Sequence, residues 1–442
     1  VENVLLYVLG ILIIVVGLAV SIGLHEVGHL VPAKLFGVRV GQYMIGFGPT
    51  LFSRRRGETE YGLKAIPMGG YISMAGMYPP AKGESASRAS STGFFQTLVQ
   101  DARTSSAEGI EPGHEDRVFY KLPVWKRIVI MLGGPVMNLL IGVVLYAVLL
   151  CGFGATQYST TLGQVDACVV PAASETLECT DNAAEAPGAA AGLRPGDRLV
   201  TIDGTAITSW TQATDIIRAS PGDDLDIVVD RDGARTDITA TPLLTERYVY
   251  DEAGQVVEGE DGDPLTREVG FLGIGPATET VQQPLTAVLP AVGDNITRVG
   301  HMILNLPDRL VDVVDAAFGP EERDVNGPIS VVGVGRLAGE ISSLDTIPVV
   351  DKAAGLIGLL ASLNIALFVF NLVPLMPLDG GHVAGALWEG IRRFFARLFR
   401  RPDPGPVDIA KLVPLTLVVV VLLGGMSALL IYADLVKPIS IL

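Results

Sequence analysis

His25, Glu26 and His29 form an H-E-x-x-H run inside Leu24-His25-Glu26-Val27-Gly28-His29. On a helix, residues four apart share a face, so both imidazoles can bind one zinc ion while the carboxylate between them reaches the water to be activated. The chemistry open to such a set is hydrolysis of a peptide bond. A chain with five His in 442 residues seldom produces this pattern by chance. The plain alternative is two helix-surface histidines near a membrane interface. Zinc needs at least one more protein ligand, and a hydrolytic site keeps a position open for water, so the rest of the chain must supply a third donor.

The elements that position these residues are apolar. The chain is 49% hydrophobic and only 18% charged. Its apolar residues concentrate in four runs, at 4–24, 128–153, 355–375 and 412–433, each about the length that crosses a hydrocarbon core of roughly 30 Å. The fold class expected is an α-helical polytopic membrane protein with four transmembrane helices. The first run has no basic region before it and no small-residue cleavage site, and it continues straight into the histidine pair, so it is expected to remain as a span.

Charge sets the expected orientation. Residues 38–127 hold 12 Lys/Arg and 8 Asp/Glu, whereas 153–352 hold 12 Lys/Arg against 33 Asp/Glu. Arg392, Arg393, Arg397, Arg400, Arg401 and Lys411 crowd the connection between the third and fourth runs. Basic short connections stay in the cytoplasm, which puts the N-terminus and the acidic segment outside and the site towards the cytoplasmic side. Cys168 and Cys179 then fall where a disulfide is permitted, and Cys151, at the end of a span, reads as a small hydrophobe.

Along the chain, residues 1–37 form the first span with the histidine pair, and 38–78 read as a membrane-associated β-hairpin turning at Ser53–Glu58. A substrate helix hides its carbonyls in hydrogen bonds, so an exposed strand edge near the zinc can hold it once unwound. Gly69 and Gly70 of that hairpin are candidate substrate-binding residues. Residues 79–120 read as a flexible cytoplasmic loop in which His114 is solvated, and 121–153 as the second span, entered through a basic, aromatic anchor at Trp125. Gly133-Gly134-Pro135 permits close helix contact, and Asn138 inside hydrocarbon needs a polar partner, making it a further candidate for the site.

The segment 160–245 changes to short strands and turns, and its Gly192-Leu193-Arg194-Pro195-Gly196-Asp197 to Ile202-Asp203-Gly204 run resembles a PDZ domain, with a groove for a peptide terminus or strand. Residues 246–268 read as an acidic linker. The region 269–350 is expected to hold strand-like sequence and one amphipathic helix over 285–310, lying on the outer membrane surface with Val288, Val292, Val299 and Ile303 as anchors and His301 as an interfacial side chain. Residues 353–382 form the third span, 383–411 a basic connection and 412–435 the fourth span.

The third span ends Asn371-Leu372-Val373-Pro374-Leu375-Met376-Pro377-Leu378-Asp379-Gly380-Gly381-His382. With the N-terminus outside, the first and third spans enter the membrane from the same side, so His25, His29 and Asp379 reach one depth. A lone carboxylate there is costly, which favours a metal. The prolines and paired glycines imply a broken helix end. His382 is left out of the ligand set so that a position stays open for water.

Taken together, H-E-x-x-H on a first span, G-P-x-x-N opening a second, an outside PDZ domain and N-x-x-P with L-D-G on a third resemble the site-2 protease family, close to its RseP-like bacterial branch. The resemblance implies zinc held by His25, His29 and Asp379, Glu26 as catalytic base, and Asn371, with Pro374, near the substrate. It implies cleavage of single-span membrane proteins, such as an anti-sigma factor already trimmed outside. Two departures stand: one PDZ domain is legible where that branch carries two, and Pro377 follows Pro374 one residue later than the N-x-x-P-x-P form has it.

The expected activity is therefore intramembrane zinc proteolysis, with the lipid bilayer, a single-span protein and a peptide terminus at the PDZ groove as partners and no nucleic acid. A receptor with structural zinc is the rival, disfavoured because such a site has no need of Glu26. A transporter predicts internal hydropathy repeats, and the four runs show none.

Overall fold

The computed structural model describes residues 2–79, 94–108, 110, 116–170, 179, 183–249, 256–257, 264–320, 323–324 and 327–439. These fall into two units, one of residues 1–153 with 283–442 and one of 154–282.

Among the described residues, four helices of the first unit are long and apolar enough to span a membrane: Asn3–Leu35, Val124–Phe153, Val349–Asn371 and Ile409–Val436. The first, α1 (Glu2–Leu35), runs unbroken through Gly10, Gly17, Gly23 and Gly28, with Pro32 only in its last turns. It closes on Gly37, whose φ of +82° suits a residue without a side chain. The Val38 N–H returns to the Ala33 carbonyl at 2.9 Å and the Gly37 N–H to that of Lys34 at 3.0 Å, satisfying carbonyls that the helix end leaves orphaned.

Two long strands follow, β1 (Val40–Arg56) and β2 (Thr59–Met74), antiparallel but folded back on themselves. Ile45 pairs both Leu63 and Gly70, so residues 42–45 run between 60–63 and 70–73. The 70–73 segment thus forms one edge of the sheet. At the far turn, Arg117 grips Glu58 through two bonds of 2.7 and 2.8 Å and holds that carboxyl below the usual range. Within 79–120, expected to be a flexible loop, the chain forms α2 (Phe94–Glu108), tied by Arg103 to Asp408 at 2.5 Å.

The second span contains α3 (Val124–Ala147). After the other unit the chain returns as α6 (Val288–Leu304), α7 (Leu306–Phe318), α8 (Val331–Ser343), α9 (Val349–Asn371), α10 (Asp379–Leu398) and α11 (Val413–Val436). The single helix expected over 285–310 is in fact broken at Asn305, beside Pro307. Val288 and Val292 do not face lipid: they are buried with Tyr146, Ala361 and Ile365, and Asn295 donates to Tyr146 Oη at 2.6 Å and Ser362 Oγ at 2.8 Å. Burying that amide against two hydroxyls draws α6 onto α3 and α9.

Small residues set the remaining contacts. A side chain at Gly10 would strike the Ala338 carbonyl and one at Gly339 the Tyr7 ring, so these glycines let α1 and α8 approach closely. At the other end of α8, buried Asp434 of α11 accepts from Ser330 N at 2.7 Å, from Ser330 Oγ at 2.5 Å and from Arg323.

The second unit is β3 (Ala155–Val165), α4 (Pro187–Ala190), β4 (Arg198–Ile202), β5 (Thr205–Ala206), α5 (Trp210–Ala219), β6 (Leu225–Arg231), β7 (Ala234–Ala240), β8 (Leu243–Tyr248), β9 (Thr266–Phe271) and β10 (Ile274–Val281). Its main sheet runs β10-β3-β4-β6-β7 with β5 beside β4, over a core of Leu162, Leu199, Ile202, Leu225, Ile227 and Leu272. The ends of the expected acidic linker are in fact strands: Glu246 opposes Glu268 in the β8–β9 ladder. Residues 274–281, expected outside this module, complete its sheet. Cys168 and Cys179 are joined by a disulfide.

Candidate metal centre

Nε2 of His25, Nε2 of His29 and Oδ2 of Asp379 form a small triangle. The nitrogens are 3.2 Å apart, and the carboxylate oxygen lies 3.4 Å from His25 and 3.3 Å from His29. Ligand bonds of about 2.0–2.2 Å in tetrahedral array put neighbouring donors roughly 3.3–3.6 Å apart. The triangle therefore has the size of one face of a zinc site, and the donor set of two imidazoles and one carboxylate is a zinc set. Asp379 Oδ2 is buried and finds no hydrogen-bond partner among the described residues, as expected of an atom whose lone pairs serve a metal.

Each donor is held by its surroundings. His29 Nδ1 donates to the Ile130 carbonyl at 2.8 Å, which leaves the Nε2 lone pair facing the triangle. Pro32 has no N–H to return to the Gly28 carbonyl, and Gly133 of α3 packs there instead: a Cβ on Gly133 would lie 2.0 Å from that oxygen. One residue further, a Cβ on Gly134 would lie 2.2 Å from His29 Nε2 and 2.7 Å from His25 Nε2. The Gly133-Gly134 pair is thus what lets α3 lie across the imidazoles.

Asp379 opens α10, where free N–H groups favour a carboxylate. The helix turns back tightly on the connection from α9. Side chains on Gly380 and Gly381 would collide with the carbonyls of Leu372 and Val373 and with the Leu375–Met376 main chain.

Glu26 is buried and packs beside the hairpin edge, with its Cγ 3.0 Å from where a Cβ on Gly70 would sit. The hairpin is fastened there by Tyr43, whose hydroxyl donates to the Gly23 carbonyl at 2.7 Å. Gly69, with φ of +121°, precedes this contact. Asn371 is the last residue of α9, and Pro374 lies exposed on the seven-residue connection to Asp379. Asn138 is buried four residues after Gly134 on α3, hence on the same face, and its Oδ1 has no partner. His382 stands outside the triangle. His301 is exposed, and His114 lies outside the described residues.

One residue that the sequence reading passed over bears on the site. Asn364, fully buried on α9, donates to Ser21 Oγ at 3.0 Å, and Ser21 lies four residues before His25 on α1. This bond fixes the register of the helix carrying the histidines against the helix leading to Asp379. An amide inside the apolar run 355–375 was the signal available.

A model of peptidase family M50 matches residues 13–400. The chain is 34% identical over 451 residues to the zinc metalloprotease Rip1 of Mycobacterium tuberculosis strain H37Rv, covering 99% of this chain and all of that one. It is 33% identical to Rip1 of Mycolicibacterium smegmatis over the same shares, and 28% identical to the metalloprotease MmpA of Caulobacter vibrioides over 85% of each chain.

Proposed function

Because the chain belongs to peptidase family M50 and is a membrane zinc metalloprotease of the site-2 protease family, we propose that it hydrolyses a peptide bond in or near the transmembrane segment of single-span proteins. The observation that carries this reading is the meeting of two donors from α1 with the first residue of α10 in a zinc-sized triangle next to a buried glutamate. Membership of a peptidase family sets aside the receptor with structural zinc.

His25, His29 and Asp379 would hold the ion. When bound, zinc supplies Lewis-acid polarisation of the scissile carbonyl and lowers the pKa of water towards about 7. Glu26 takes the proton from the attacking water and returns it to the leaving amine. Ile130 keeps the His29 ring in its metal-facing tautomer. The 70–73 edge, beginning at Gly69 and Gly70, pairs with the unwound substrate backbone, while Asn371, Pro374 and Asn138 contact the segment on its other sides.

The basic connections lie in the cytoplasm and the 154–282 unit outside, a reading supported by the Arg-rich connections and by the Cys168–Cys179 disulfide. That unit serves as the single PDZ-like module of an RseP-like enzyme. It has a cleft of about 820 Å³ between Trp210, Thr214 and Ile217 of α5 and the Phe271–Ile274 turn, beside the end strand β10, suited to a peptide terminus or added strand. An anti-sigma factor already cut outside is the substrate class we favour.

Comparative proteomics of membranes from cells carrying wild-type or Glu26→Gln protein tests this. A single-span fragment accumulates in the variant; identical membrane proteomes contradict the reading.

A further inference from the structure

The helix α10 is built inside out for a soluble protein. Its outward face carries Leu387, Trp388, Ile391, Phe394, Phe395 and Leu398, a continuous apolar stripe at helical spacing, with Trp388 56%, Phe394 63% and Leu398 61% exposed. Its inward face instead buries Ala386 and a carboxylate. Glu389 is fully buried, bonded to Arg127 of α3, to Arg393 and to the Val407 N–H at 3.0 Å. With five charged residues, this helix is not a span.

Three further observations say what covers the stripe. Arg397, Arg400 and Arg401 are exposed at the end of the helix, while the nearby carboxylates are engaged elsewhere: Glu389 as described, Asp403 with Arg393 and Asp408 with Arg103. Between α10 and the start of α3 runs an apolar groove of about 280 Å³, lined by Val124, Leu387, Gly390, Ile391, Phe394 and Phe395. Only seven residues separate the helix from the α9 span, and Trp125, beside Val124, is 57% exposed with Lys126 over its ring, as at a membrane–water boundary.

We propose that α10 is an in-plane interfacial helix that seats its aromatic face in an anionic phospholipid leaflet, with Arg397, Arg400 and Arg401 meeting the headgroups and the groove at Val124 taking an acyl chain. Aromatic and leucine side chains on one face with arginines beside it are what such surfaces retain. Since Asp379 is its first residue, the leaflet also fixes the helix that presents a metal donor. This inference rests on the membrane spans and not on proteolysis.

The test uses the full chain in lipid nanodiscs, with Trp125→Phe and Trp210→Phe leaving Trp388 as the emitter, and phosphatidylglycerol or phosphatidylcholine brominated on the acyl chain as quencher. Brominated phosphatidylglycerol associates fivefold or more better than the choline lipid, about the effect of one arginine near an anionic surface, and R397Q/R400Q/R401Q brings the ratio towards one. The same quenching, measured as the difference between the wild-type chain and W388F, serves if the double variant does not fold. Equal quenching by both lipids overturns the proposal, as does access of iodide without lipid quenching. Trp388 emission that shifts only in discs holding two chains also overturns it and assigns the face to a second copy.

Discussion

A Cβ on Gly134 would stand 2.2 Å from Nε2 of His29, so the main chain of α3 touches the ligand atoms themselves. Nothing at that position can yield except the imidazoles or the helix.

Gly134→Ala therefore displaces the donor triangle. Zinc affinity falls by about 100-fold, the upper end of the effect of altering a ligand's immediate support. Competition with a zinc chelator on the purified chain measures it, with Gly142→Ala, a contact to the flexible end of Ile365, as the milder comparison. Equal affinity of Gly134→Ala and wild type would mean that α3 does not pack on the imidazoles as described.

The Arg127–Glu389 pair is almost fully buried, and removing one partner leaves a charge with no compensation. Glu389→Leu destabilises the chain by about 3–5 kcal/mol, while Arg127→Met with Glu389→Leu recovers most of this. Thermal unfolding in nanodiscs reads the difference. Because α10 begins at Asp379, the single variant also binds zinc more weakly.

In the 154–282 unit, Asp197 accepts two bonds of 2.7 Å from Arg231 and one of 2.8 Å from the Arg194 N–H. The Arg231 guanidinium chiefly holds its carboxyl below the ordinary range. A depressed folded pKa stabilises above the unfolded value near 3.9, and that contribution disappears as pH falls through the folded value. Stability against unfolding, followed by Trp210 emission with Trp125 and Trp388 replaced by Phe, should fall below about pH 4. Asp197→Asn should cost roughly 2 kcal/mol at neutral pH and flatten the acid limb. A wild-type profile without an acid limb would contradict the pairing.

How far the sequence discloses the molecule depends on whether the signal is local. The histidine pair and Asp379 are legible because spacing on a helix and the depth of two spans are enough to bring them together. Gly134 is not: its small size reads as general helix contact, and its service to His29 appears only when α1 and α3 cross. The α10 helix hides for a different reason, since its arginines read as a basic connection and Arg392, Arg393 and Arg397 divide its apolar residues along the sequence, although not on the helix surface. Likewise the acidity of 246–268 suggests a solvated linker, although the ends alternate and pair as strands. Asn364 and Ser21 look like isolated polar residues until their helices meet.

Zinc content, measured by mass spectrometry of the intact purified chain under non-denaturing conditions, addresses the three-donor centre most directly. The account predicts one zinc per wild-type and per Glu26→Gln chain, and less than about a tenth of that in Asp379→Ala, since two imidazoles alone leave the ion short of the ligands it requires. Full zinc occupancy in Asp379→Ala would contradict it.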